Sequence, residues 1–129
     1  MTSEYDNYID IIINYWFKNN DFNRWFKSGD KYDSEITQLF YHVLIEAEKG
    51  NLLHWLESRK GYLAHIILLD QFSRQIYRGT PSAYKNDNKI KLFMEMGLEL
   101  YLDSFDAIKK MFVLMPYQHS ESLKDQKKD

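Results

Sequence analysis

Two segments hold residues whose types and spacing could do chemistry. The first is Leu68-Leu69-Asp70-Gln71-Phe72-Ser73-Arg74-Gln75-Ile76-Tyr77-Arg78-Gly79-Thr80. Asp70 and Arg74 are four residues apart, so on a helix they share a face and can pair. Gln71 is their neighbour, and Tyr77 and Arg78 lie one turn further on. Asp70 follows four aliphatic residues, so it is expected to be partly buried, and a buried charge needs a partner. Arg74 serving as that partner is one reading. The other is a site for a carboxylate or other anion, with Arg74 and Arg78 as the clamp and Asp70 and Gln71 orienting them. A guanidinium suits this because its planar fork grips two oxygens at once. The chain has only four Arg against thirteen Lys, and two of the four fall within five residues.

The second segment is Pro116-Tyr117-Gln118-His119-Ser120-Glu121-Ser122-Leu123. His119 and Glu121 beside a helix start could act as acid and base. The structural alternative is that Ser120 and Glu121 cap the helix while His119 bonds a backbone carbonyl.

Other chemistries find little support. His42, His54, His65 and His119 are scattered, without His-x-x-x-His or Glu-x-x-His spacing, so no metal site is expected. His65 sits among apolar residues and reads as a satisfied core histidine. There is no Gly-rich phosphate loop and no Gly-x-Ser-x-Gly elbow, and no cofactor is expected. Cysteine is absent, which excludes disulfides and thiol chemistry. The net charge of −2 gives no general attraction to nucleic acid or anionic membranes. No apolar run approaches a membrane span, and no signal pattern opens the chain, so a cytoplasmic protein is the expectation.

Helices must position these residues. The 129-residue length is that of one domain, and 44% hydrophobic with 28% charged residues is globular. Five Gly and two Pro are few, which favours long helices. No segment alternates with period two. The fold is expected to be all-α, with sequence neighbours packed as antiparallel helical hairpins. Ile9, Ile12, Ile13, Trp16 and Phe17 form one stripe, predicting a helix over 4–18. Phe22, Trp25 and Phe26 suggest a turn of helix, and Gly29-Asp30 a loop. A helix over 34–48 is predicted, capped by Asp33 or Ser34 and stopped at Gly50. A turn forms around Trp55, and Ser58 opens a helix to about Arg78, apolar on nearly every side from Tyr62 to Leu69. Thr80-Pro81 starts a helix over 81–96, with Tyr84, Ile90, Phe93 and Met94 inward and Gly97 as its stop. A further helix spans 104–114 behind Ser104 or Asp103, and Pro116 breaks it.

The run Leu69-Asp70-Gln71-Phe72-Ser73-Arg74-Gln75-Ile76-Tyr77-Arg78-Gly79-Thr80 resembles the signature of the domain of unknown function 924 family. That signature reads Leu-Asp-Gln-Phe-Pro-Arg-Asn-Ile-Tyr-Arg-Gly-Thr, so Ser73 and Gln75 depart from it. Tyr15-Trp16-Phe17, Trp25-Phe26, Tyr32-Asp33, Trp55, Asp87, Gly97 and His119-Ser120-Glu121 also fall in the family's order. The resemblance implies a tetratricopeptide-like α-α superhelix and no established activity. Members of that family continue into a second polar signature, Phe-Gly-Arg-Phe-Pro-His-Arg-Asn, which this sequence does not contain. Against that pattern, residues 1–129 read as a single helical domain of a truncated or divergent member, or as a protomer completed by a second copy.

The expected function is a non-enzymatic module that binds a peptide, a protein or a small anionic ligand. Its polar groove would use Asp70, Gln71, Arg74, Tyr77, Arg78, His119 and Glu121. The alternative is a small hydrolase-like enzyme on an anionic substrate, with His119 or Glu121 as acid/base and Arg74 as anion clamp. A homodimer is a third expectation, through apolar surface at Leu114, Met115 and the helix after Ser120.

Overall fold

Ser58 begins the element that organises everything else. In the computed structural model its hydroxyl accepts the Gly61 N–H, capping a helix at Arg59–Ile66. The structure describes the backbone of residues 4–18, 21, 25–26 and 30–127, and the side chains of the same residues except 30 and 119–127. Four elements surround this helix: α1 (Tyr8–Phe17), α2 (Asp30–Glu48), α4 (Asp87–Tyr101) and α5 (Ala107–Lys127). The fold is all-α, with no strand among the described residues.

The central helix α3 runs over residues 59–76 without interruption but changes type. Ile67–Phe72 is π-helical, and Ser73–Ile76 returns to α geometry. The widened turn lets the Ser73 N–H reach the Leu68 carbonyl, five residues back. The Ser73 hydroxyl donates to the Leu69 carbonyl at 2.6 Å. Every residue from Gly61 to Asp70 is buried, as an all-round apolar sequence requires. α1 and α4 pack against its first half, α2 against its C-terminal end, and α5 against α4. Trp16, Phe40, Phe72 and Phe112 meet edge-on or tilted in the core between them. Aromatic residues make up 16% of the chain, and many of them serve packing.

Several boundaries differ from the sequence reading, each for an identifiable reason. α2 starts at Asp30, not 34. Asp33 is inside it, and its carboxylate receives an arginine rather than capping N–H groups. Thr80 does cap the following turn, with Pro81 at its first position, but that turn is a 3-10 segment at Pro81–Tyr84. Tyr84 points outward, 56% exposed, and covers the Arg74 guanidinium. Gly97 is no stop. It lies inside α4, where a Cβ would stand 2.4 Å from the Tyr62 ring, so the glycine admits an aromatic against the helix backbone. The cap of α5 is Asp106, whose carboxylate accepts the Lys109 N–H at 2.9 Å. Ser104 instead accepts from the Arg59 guanidinium.

Pro116 lies within α5. It removes one backbone hydrogen bond, at a cost of about 3 kcal/mol in a helix interior. Phe112, Val113 and Met115, all buried, hold the helix against the core around it. Met115 is buried and Leu114 half-buried, so these two expose less apolar surface than expected, while the side chains after Ser120 lie outside the described residues. On α5 the exposed large apolar side chain among the described residues is Tyr117, at 37%, whereas Leu92, Met96 and Leu100 along α4 are more exposed. Gly50 and Gly79 do end their helices, with φ of 85° and 80°.

Candidate functional site

The polar run at the end of α3 is divided by the fold into three places. The innermost contains Asp70, Gln71 and Arg74. Asp70 is 1% exposed. Arg74 Nε lies 3.4 Å from Asp70 Oδ1, as the four-residue spacing predicts, and Gln71 Nε2 donates to Asp70 Oδ2 at 3.2 Å. The other arm of Arg74 donates to Asp87 Oδ1 at 2.9 Å, at the first residue of α4. The Tyr84 ring lies 5.1 Å from the guanidinium carbon. Asp70, Arg74 and Asp87 thus form an ionic pin between α3 and α4. Asp87 as a partner could not be read from the sequence, since no helical spacing links positions 74 and 87.

Tyr77 belongs to a second knot. Its hydroxyl donates to Glu48 Oε1 at 2.9 Å, at the end of α2. Asn86 Nδ2 donates to the other Glu48 oxygen at 2.8 Å, and Lys85 Nζ lies 4.4 Å from the Tyr77 ring centroid. Burial, with the Glu48 carboxylate adjoining, pushes the Tyr77 phenol up. This group holds the end of α2 to the turn before α4.

Arg78 occupies the third place. Its Nε and terminal nitrogen both reach the Asp33 carboxylate, at 2.5 and 3.1 Å. Arg74 and Arg78 border one small recess of about 210 Å³ with Gly79, Ala83 and Tyr84. They do meet there, but each already faces carboxylates of its own chain. Asp33, Asp70 and Asp87 outnumber the two guanidinium groups, which weighs against an added anion. His119 and Glu121 lie on α5, and their side chains fall outside the described residues.

A larger cleft opens on the other side of Arg78, between α2 and the end of α3. It measures about 570 Å³ and is lined by Asp33, Ser34, Thr37, Gln38, Gln75, Ile76 and Arg78. Gln75 is 6% exposed, and its Oε1 has no hydrogen-bond partner among the described residues. Gln75 did not stand out in the sequence beyond its departure from the family signature. Ser34 stood out only as a candidate helix cap, and Thr37 and Gln38 not at all, because they become neighbours of Gln75 only when α2 packs on α3.

His65 is buried, as its apolar surroundings predict, but it is not satisfied. Neither ring nitrogen has a partner among the described residues, and the ring meets Phe93 edge-on at 5.1 Å. Burial, reinforced by Lys89, lowers its pKa to about 4, so it stays neutral at physiological pH. Among the described residues, no group of three or more His, Asp or Glu side chains is placed to hold a metal ion. No described helix is long and apolar enough to cross a membrane.

An all-α protein whose polar signature is pinned at the end of a buried π-bulged helix is the class these features define. The chain belongs to the DUF924 family, described as bacterial protein of unknown function, whose model matches residues 12–129. The fold is similar to that of a solved protein of unknown function, ATU0120 from Agrobacterium tumefaciens, with a TM-score of 0.86 and 25% sequence identity. The match covers 97% of this chain and 71% of that one. No curated protein matches.

Proposed function

We propose that this chain is a non-catalytic binding module whose cleft between α2 and α3 receives a peptide-like ligand. The observation that carries the reading is the Gln75 amide oxygen, buried beside the cleft without a partner among the described residues. An acceptor left in that state costs about 1–3 kcal/mol, so a donor N–H from a ligand would be rewarded. The cleft volume lies in the range of small-ligand sites, about 300–1,000 Å³. Its lining charges, Asp33 and Arg78, neutralise each other. That favours a neutral ligand with both donors and acceptors. A peptide group has both: its N–H suits Gln75, and its carbonyl suits the Ser34 hydroxyl or the remaining N–H groups of Arg78, the Thr37 hydroxyl being already donated to the Asp33 carbonyl at 2.7 Å. The signature residues Asp70, Gln71 and Arg74 serve this reading from behind, by fixing the helix that presents Gln75 and Arg78.

The test is an NMR titration of isotope-labelled protein with a capped tri-alanine peptide and, separately, with acetate and with inorganic phosphate. The expected outcome is that the peptide shifts resonances of residues 33–38 and 75–78 and saturates, while the two anions do not. Saturable shifts by acetate or phosphate at Arg74 and Arg78, with none by the peptide, would replace this reading with an anion site.

A further inference from the structure

A second surface stands apart from the cleft. Leu53, Leu56 and Glu57, on the 3-10 segment Leu53–Glu57, face Phe93, Met96, Leu100 and Tyr101 of α4 across a groove of about 530 Å³. Gly97 also lines it, with the Tyr62 ring packed against its other side, where a Cβ would stand. Leu53, Met96 and Leu100 are 45%, 62% and 75% exposed. Leu92, Met96 and Leu100 recur every four residues, so they continue the groove as one apolar stripe about 12 Å long. A contiguous exposed apolar surface of this kind marks an interaction site more often than chance.

Charge selects the occupant. Glu57 is the charged residue in the lining. Glu99 immediately precedes Leu100, and Asp103 follows one turn later; both are exposed. The cations nearby are turned elsewhere: on the same helix Lys89 reaches the Glu48 carbonyl at 3.1 Å and Lys91 lies over the Tyr117 ring, Arg59 is held by Ser104 and the Phe105 ring, and Lys60 faces Asp10. A second copy of this chain would set one acidic rim against another, which opposes self-pairing.

We propose that this groove docks an amphipathic helix of a basic partner. Apolar side chains at i, i+4 and i+7 of that helix enter between Leu53 and Leu100, and its Lys or Arg residues flank them opposite Glu57, Glu99 and Asp103. The contact is short, two to three helical turns, so the complex is a transient one.

The probe is a synthetic fluorescein-labelled helix of roughly 18 residues, about 27 Å long, with a Leu face and Lys flanks. A charge-reversed control peptide carries Glu in place of every Lys. Fluorescence anisotropy with the full chain is expected to give saturable binding of the Lys peptide, at least about tenfold tighter than the Glu peptide and weakened by added salt. Leu100→Ser, at a side chain already exposed, is expected to weaken binding about tenfold or more with an unchanged thermal melt. Gln75→Leu is expected to leave this binding intact, which separates the groove from the cleft. Equal affinity for both peptides, no binding, or indifference to Leu100→Ser would overturn the proposal. So would a concentration-dependent dimer that Leu100→Ser dissolves, because the groove would then belong to a second copy.

Discussion

Replacing Arg74 by alanine isolates what the signature does. The guanidinium lies 3.4 Å from Asp70 and 2.9 Å from Asp87. At an effective dielectric of about 20, each contact is worth roughly 5 kcal/mol before desolvation is counted. Asp70 is fully buried and Asp87 mostly so, whereas the Arg74 side chain is 22% exposed. Arg74→Ala therefore leaves a buried carboxylate without its cation, and the expected net loss is about 3–5 kcal/mol. That falls within the range of a core Leu→Ala substitution, about 2–5 kcal/mol. Urea denaturation followed by circular dichroism, with Leu69→Ala as the reference, measures both on one scale. The double variant Asp70→Asn/Arg74→Met, which removes buried charge from both sides of the contact, is expected to recover at least half of the loss. A loss below about 1 kcal/mol for Arg74→Ala would refute the pin, because surface ion pairs have that value. It would return Arg74 to the pool of residues available for a ligand.

Three further outcomes follow from the packing. His65 binds a proton near pH 6.5 when unfolded but only near pH 4 when folded, so stability is full above pH 6.5 and falls as pH drops toward 4, by about 3 kcal/mol; His65→Leu should flatten that limb in urea melts taken at several pH values. Gly97→Ala gains about 1 kcal/mol of helix propensity, but its new methyl meets the Tyr62 ring, so a net loss of about 1–2 kcal/mol and a lower melting temperature are expected. Pro116→Ala restores a helical N–H and should raise stability by about 1–2 kcal/mol, readable as a higher urea midpoint at unchanged slope.

Local chemistry was legible in the sequence where one residue acts on its near neighbours. Ser58 and Thr80 cap because their hydroxyls reach N–H groups two or three residues away. Gly50 and Gly79 stop helices because only their backbones adopt positive φ without cost. The Asp70–Arg74 pair follows from helical spacing alone. What was hidden depends on distant partners. Gly97 reads as a stop until Tyr62 is seen against it, and Pro116 reads as a break until its helix is seen packed in the core. The π-bulge at Ile67–Phe72 has no compositional mark, since an apolar run obeys any helical phase. Asp33 looks like a cap because nothing in the sequence brings Arg78 to it. The cleft was hidden for the same reason: Gln75 gains meaning only when α2 covers it and leaves its oxygen unpaired.

The measurement that bears most directly on the binding reading is Gln75→Leu, taken through both stability and ligand titration. If the unpaired amide exists for a ligand, the apolar replacement removes a buried unsatisfied acceptor, so the urea midpoint holds or rises. The capped-peptide titration then loses its saturable shifts at residues 33–38 and 75–78. If Gln75 is a structural residue, the reverse is expected: stability falls by more than about 1 kcal/mol and the peptide titration, wherever the variant remains folded, is unchanged.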